Sequence, residues 1–168
     1  MMEPRLPLSV NLRLAEAGDL VAVEKLQHDA YACNRELLGV EPLPLLSDYA
    51  DILSRRIVWL AEEHAGAGTR LAGVLILTPQ DDDLLVWSVA TAPYAQGRSV
   101  AGQLMRLAEK IAAASGLARL TLYTGEKLTK NVEWYRRLGY AETRRETLPD
   151  RVIVHMEKAL AQGGQNHV

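Results

Sequence analysis

Leu85-Val86-Trp87-Ser88-Val89-Ala90-Thr91-Ala92-Pro93-Tyr94-Ala95-Gln96-Gly97-Arg98-Ser99-Val100-Ala101-Gly102-Gln103-Leu104 is the stretch on which the fold turns. It reads as a strand, a turn stopped by Pro93, a loop of small residues and the first turns of a helix. A helix that begins on such a loop presents unpaired backbone N–H groups and the positive end of its dipole. That arrangement suits an anion, above all a phosphate or pyrophosphate. At this point the stretch is either an anion cradle or only a strand-to-helix connection.

Downstream, Val100, Leu104, Leu107 and Ile111 recur at helical spacing from Ser99 onward, and Gly116 stands where a C′ glycine ends a helix. Leu117 to Tyr123 reads as the next strand, so strand, helix and strand imply a parallel pair joined by a right-handed crossover. A helix from about Thr129 to Leu138 follows, with Arg136 and Arg137 in its last turn and Gly139 to stop it. Thr143 to Thr147, the turn Leu148-Pro149-Asp150, and Arg151 to Met156 read as a closing hairpin.

Upstream, Val10 to Leu14 is a short strand, and Asp19 caps a helix carrying Leu20, Val23, Leu26 and Ala30 on one face. Pro42 and Pro44 prevent that region from continuing as a helix. Ser47 is the expected N-cap of a second helix, Asp48 to about Arg55. The apolar Leu43, Leu45 and Leu46 beside Tyr49 serve either core packing or the wall of a substrate groove. Ile57 to Ala61, the turn Gly66-Ala67-Gly68, Leu71 to Leu77 and Leu84 to Thr91 form an antiparallel meander, with Asp81, Asp82 and Asp83 in a solvated turn. The fold class is therefore mixed α/β (α+β). One mostly antiparallel sheet of six or seven strands holds a central parallel pair and is flanked by about four helices.

Residues 1–160 form one domain and 161–168 a disordered tail. A net charge of −2 gives no general attraction for nucleic acid or an anionic membrane, and no apolar run approaches the roughly 20 residues of a spanning helix. The N-terminus lacks the apolar core of a signal peptide. Cys33, the only cysteine, has no internal disulfide partner, which fits the cytoplasm, and reads as a small, partly buried side chain. His28, His64, His155 and His167 show no metal-ligand spacing, so no metal is expected.

Gln96-Gly97-Arg98-Ser99-Val100-Ala101 has the form [Arg/Gln]-x-x-small-x-[Gly/Ala] between a strand and a helix. Leu122-Tyr123-Thr124-Gly125-Glu126, then Asn131, then Tyr135-Arg136-Arg137-Leu138-Gly139-Tyr140 supplies a second spaced motif. With both motifs in this frame, residues 10 to 158 resemble the GCN5-related N-acetyltransferase superfamily. The resemblance implies acetyl-CoA as co-substrate, with its pyrophosphate on Gln96, Gly97, Arg98, Ser99, Val100, Ala101 and Gly102. It implies a splay between the two parallel strands, where backbone groups of Val89 and Thr91 pair with the pantetheine arm. It also implies that Asn131 binds the cofactor, that Tyr135 is the general acid beside the departing sulfur, and that Tyr140 is core. A homodimer is left open.

Two positions depart from that family. Ser99 stands where the loop usually has glycine, and a serine resists positive φ. Trp87 stands where many relatives carry a glutamate that serves as general base or holds a water. Glu126, Glu133 or Glu36 would have to act through water in its place, or the acceptor would be a weakly basic or already neutral amine. The expected activity is acetyl transfer to a primary amine of a small molecule or peptide by direct attack in a ternary complex. A non-catalytic acyl-CoA binder is the alternative, and a nucleotide or other phosphate binder a third. The acceptor is chosen by the region from Tyr31 to Arg55 and by the turn at 148–151.

Overall fold

A computed structural model describes residues 6–161, so the expected tail lies almost wholly outside the described residues. Seven strands form one sheet in the order β1-β2-β3-β4-β5-β7-β6. Their ranges are β1 Asn11–Leu14, β2 Ile57–Ala65, β3 Gly68–Pro79, β4 Asp83–Thr91, β5 Arg119–Gly125, β6 Ala141–Thr147 and β7 Val152–Ala159. Every neighbouring pair is antiparallel except β4 and β5, as the meander and crossover predict. β2 and β3 outrun their expected ends because a two-residue turn with Gly66 at φ 60° lets the ladder continue through Glu62–His64.

The helices are α1 Leu20–Tyr31, α2 Asn34–Leu38, α3 Tyr49–Arg55, α4 Val100–Ala114 and α5 Thr129–Arg137. Val23 and Leu26 of α1 and Tyr49 and Ile52 of α3 bury against Val74, Ile76 and Ala90 on one face of the sheet. On the other face, α4 buries Val100, Leu104, Met105, Ala108 and Ala112 over Leu75, Leu77, Leu84 and Leu120, beside Val132 of α5. Each large side chain so buried contributes about 1.5–3 kcal/mol, which fixes the start of α4 against the sheet. Gly73 makes that contact closer. A Cβ there would stand 2.7 Å from Val100 Cγ1 and 2.9 Å from Leu104 Cδ1.

Three local expectations need correction. The N-cap of α3 is Asp48 rather than Ser47: its carboxylate accepts from the N–H of Ala50 and Asp51 at 3.0 and 3.3 Å. An ionised carboxylate does this better than a hydroxyl and also suits the helix dipole. α2 is ended by a left-handed Gly39 (φ 72°) ahead of the prolines, and Pro44 then sits in the first turn of a 3₁₀ segment, Leu43–Leu46, where its missing N–H is no loss. Cys33 is exposed at the α1–α2 junction, not partly buried, because it sits in the turn between the two helices, on the cleft. Tyr140 is buried in the core, as expected.

Candidate functional site

The parallel ladder between β4 and β5 is short. It pairs Asp83 with Arg119, Leu84 with Leu120 and Leu85 with Thr121, and then stops although both strands continue. The cause lies two residues further along β4. Adjacent residues Ile76 and Leu77 of β3 face Ser88 and Val86, which leaves Trp87 as an extra residue in a β-bulge. A bulge bends its strand and increases the local twist, so β4 leaves β5 there and stays with β3. Ala92 donates its N–H to Ala72 O at 2.8 Å. By the alternation of a strand, Val89 and Thr91 therefore turn their N–H and C=O toward the opened gap.

The gap widens into a cleft of about 680 Å³, within the roughly 300–1,000 Å³ of small-molecule sites. Val89, Thr91, Gln96, Ala101, Asn131 and Tyr135 all line it. At its rim Gly97 (φ 75°) and Ser99 (φ 64°) are both left-handed, and α4 starts directly after them. The first helical bond there is from Gln103 N–H to Ser99 O, so the amides just before it are the unpaired ones. A left-handed Ser99 followed directly by the right-handed start of α4 curls successive N–H groups toward one point, a concavity that suits an anion. Ser99 is the one non-glycine residue with positive φ among those described, at the position where the sequence put serine in place of glycine.

Not every loop residue faces the cleft. The Arg98 side chain turns away and donates to Leu6 O at 3.2 Å, while its own carbonyl accepts from Leu8 N–H. Val100 is buried under the sheet and has only its N–H to offer. Asn131 and Tyr135 lie one turn apart on α5, which sets both on its cleft face. Burial holds the Tyr135 phenol well above its ordinary range, and the nearby Tyr31 and Tyr140 push the same way. It is therefore a protonated donor at neutral pH.

Across the cleft is a group of side chains in which Gln27 and Ser88 join Tyr31 and Tyr49 without having stood out in the sequence. Gln27, buried in α1, donates Nε2–H to Tyr49 Oη and to Ser88 Oγ, each at 3.0 Å. Tyr31 Oη and Ser88 Oγ are 2.7 Å apart, and Tyr49 donates to Pro44 O at 2.8 Å. The network ties α1, α3 and the 3₁₀ segment to β4 and sets the Tyr31 hydroxyl at the cleft wall. Burial pushes the Tyr31 phenol up to about 12 against the opposing bond from Ser88. Tyr123 of β5 and Trp87 of the bulge complete the wall, with Tyr49 edge-on to Trp87 at 6.5 Å and the Arg56 guanidinium 4.7 Å over its ring. Of this wall the sequence had marked Trp87, Tyr49 beside the apolar groove candidates and the region opening at Tyr31, whereas Gln27 and Ser88 carried no local signal.

Among the described residues no aspartate or glutamate lines the cleft. Glu126 points to Arg145 at 2.6 Å, and Glu36 and Glu133 are exposed away from it. None of the three carboxylates considered as a substitute base stands in the site. The 31–55 region contributes Tyr31, Asn34, Leu37, Leu38 and Leu43, and the closing turn contributes Arg151.

Residues 23–140 match the family model described as the acetyltransferase (GNAT) family. No curated protein matches the chain in sequence. Among solved structures, the ribosomal-protein-S18-alanine N-acetyltransferase from Escherichia coli superposes with a TM-score of 0.73 at 16% identity, covering 95% of this chain and 99% of that one. The PaiA N-acetyltransferase from Thermoplasma acidophilum, solved with coenzyme A, gives 0.73 at 16% identity over 90% and 99%. A GNAT acetyltransferase from Elizabethkingia anophelis with acetyl-CoA bound gives 0.65 at 17% identity over 90% and 98%. At these identities the structures establish the fold, and the family model, which spans most of the sequence, establishes the membership. The chain belongs to the acetyltransferase (GNAT) family.

Proposed function

We propose that the protein transfers an acetyl group from acetyl-CoA to a primary amine by direct attack in a ternary complex. The observation that carries this reading is the early end of the β4–β5 ladder beside a loop of unpaired amides, with Asn131 and Tyr135 on the same cleft. The residues fit the co-substrate. N–H groups from Gln96 to Gly102 would bind the pyrophosphate, each charge-assisted bond contributing roughly 1.5–3 kcal/mol. Val89 and Thr91 would pair with the amide groups of the pantetheine arm through their gap-facing backbone. Asn131 would hold the arm from α5.

The chemistry needs little from the side chains at the sulfur and more at the nitrogen. The amine lone pair attacks the thioester carbonyl, the C–S bond then breaks, the thiolate takes the proton of Tyr135, and the proton the nitrogen sheds on becoming an amide restores the phenol. A thiol of pKa about 8.5 is a good leaving group, so this acid has a modest task. The amine must arrive neutral, because the cleft supplies no carboxylate to deprotonate it. Effective molarities of about 10⁵–10⁸ M for well-placed reactants let positioning carry the attack. Trp87 and the lack of a carboxylate favour a second reading, a module that binds acyl-CoA without turnover.

Thermal shift with acetyl-CoA, CoA, ATP and NAD in parallel tests the reading. Acetyl-CoA and CoA should each stabilise by about 2.7 kcal/mol at a hundredfold excess over Kd, while ATP and NAD should not. CoA release with a panel of amines then separates the enzyme from the binder.

A further inference from the structure

The charge of the cleft points to the kind of acceptor. Among the described residues its walls carry three cations, Lys127, Lys130 and Arg151, and no anion. A polyamine or a lysine side chain would bring positive charge into a site that offers no carboxylate to receive it. The Arg151 guanidinium is the most enclosed of the three, with its side chain only 8% exposed. Its Nε and Nη2 donate to Asp150 at 3.1 and 3.0 Å, and Nη1 has no partner among the described residues. Asp150 itself is half exposed on the turn, so this ion pair between chain neighbours is a weak competitor for a ligand anion. The same cleft is walled by apolar side chains, Leu37, Leu38, Leu43 and Ile153, and Leu38 and Arg151 also share a smaller adjoining pocket.

Resting on the acetyltransferase reading, we infer that the acceptor is a free α-amino acid with an apolar side chain, held by its carboxylate on Arg151. The pairing does more than recognise. A free amino acid keeps its ammonium protonated partly because its own carboxylate is adjacent. Once the guanidinium neutralises that carboxylate, the amine falls toward the about 7.7–8.0 of an α-amine without one. The side chain that binds the acceptor thereby also delivers it as a neutral nucleophile, which is what a site without a base requires. The released proton leaves to solvent before attack; the nitrogen then forms the amide as Tyr135 protonates the sulfur, and the second proton shed by the nitrogen restores the Tyr135 phenol.

The test compares leucine, methionine and phenylalanine with isoamylamine, phenethylamine and spermidine as acceptors in a CoA-release assay. It adds thermal shift of the CoA-loaded protein with each compound, which reads binding without turnover. The amino acids should exceed the amines lacking a carboxylate by about 10–100-fold in kcat/KM, the equivalent of one charge-assisted contact. Arg151→Gln should cost the amino acids that factor through KM and move the rising limb of their pH profile upward. Arg151→Lys should recover part of it, and Asp150→Asn should lower KM. If spermidine or phenethylamine is acetylated better than any amino acid, the acetyltransferase reading stands and this one fails. If Arg151→Gln affects amino acids and amines equally, Arg151 is not the carboxylate site. If no amino acid shifts the melting of the CoA-loaded protein, the inference is overturned whatever the turnover.

Discussion

The two walls of the cleft are built from different material. On the β4–α4 side the groups offered are backbone: the N–H and C=O of Val89 and Thr91 and the unpaired amides ahead of α4. On the α1–β5 side they are side chains: Tyr31, Tyr123, Trp87 and Arg151, contributed by separate segments of the chain. A backbone wall needs only its curvature, which small residues and one bulge provide. Many sequences can therefore satisfy it. A side-chain wall changes with every substitution. Recognition of an invariant co-substrate fits the first, and choice among acceptors fits the second. Tyr135 stands where the two meet and is the place to strike hardest.

Tyr135→Phe removes the proton offered to the sulfur while keeping the ring against Trp134 and Tyr140. We expect kcat to fall by about 10²-fold, the lower end for a general acid because the leaving thiolate is already stable. Affinity for acetyl-CoA, measured by calorimetry, should stay within about twofold. A drop in affinity with unchanged kcat would move Tyr135 from the chemistry to the backbone wall's task of binding.

The pH profile sharpens the same division. With no carboxylate in the cleft, the rising limb of kcat/KM should follow the acceptor amine alone, gaining about tenfold per pH unit below its pKa. No descending limb should appear below about pH 10, since burial raises both Tyr135 and Tyr31. The same shifts bear on stability. A phenol raised in the folded state keeps its proton after the unfolded chain has lost it. That contribution is complete below about pH 10 and is lost as pH rises beyond it. A limb near pH 6 that persists when the amine is changed would reveal a base on the protein.

The sequence made the backbone wall legible and left the other largely unread. Gln96 to Gly102 and the spacing from Asn131 to Tyr135 are local patterns, so a strand, a loop and a helix could be read from them with the correct order of elements. The bulge at Trp87 was hidden, because an extra residue in a strand leaves no mark in an alternation already broken by Ser88. The Gln27–Ser88–Tyr31 network joins residues 61 and 57 positions apart, and no local pattern encodes such a contact. Arg98 looked like a cation for phosphate by its place in the loop, yet the segment around Leu6 and Leu8 claims it. The lack of any carboxylate in the cleft is likewise a property of the assembled walls. The twenty-one acidic residues in the chain carried no hint that none of the described ones would line the cleft.

Gly73→Ala tests whether the backbone wall depends on the seating of α4. The new methyl would press on Val100 Cγ1 and on Ala90 O, 3.2 Å away, and Val100 has no free rotamer to yield. Overpacking of this kind costs about 1–3 kcal/mol, so Tm should drop by roughly 3–10 °C. Because α4 carries the loop, acetyl-CoA should bind more weakly as well. Unchanged affinity in a destabilised variant would mean that the loop holds its shape independently of the helix behind it.

Ser99→Gly should have the smallest effect, and its sign is the informative part. A serine held at φ 64° carries a left-handed cost of about 1–2 kcal/mol, and its side chain makes no capping bond in return. Glycine removes that cost but adds about 0.5–1 kcal/mol of unfolded-chain entropy. The balance is a gain of a few tenths to about 1 kcal/mol, read as a Tm rise of roughly 1–3 °C. If only the backbone of residue 99 faces the pyrophosphate, acetyl-CoA affinity should hold or improve slightly. A more stable variant that binds acetyl-CoA more weakly would show the Ser99 hydroxyl taking part in binding, and this wall would then be less purely backbone than its geometry indicates.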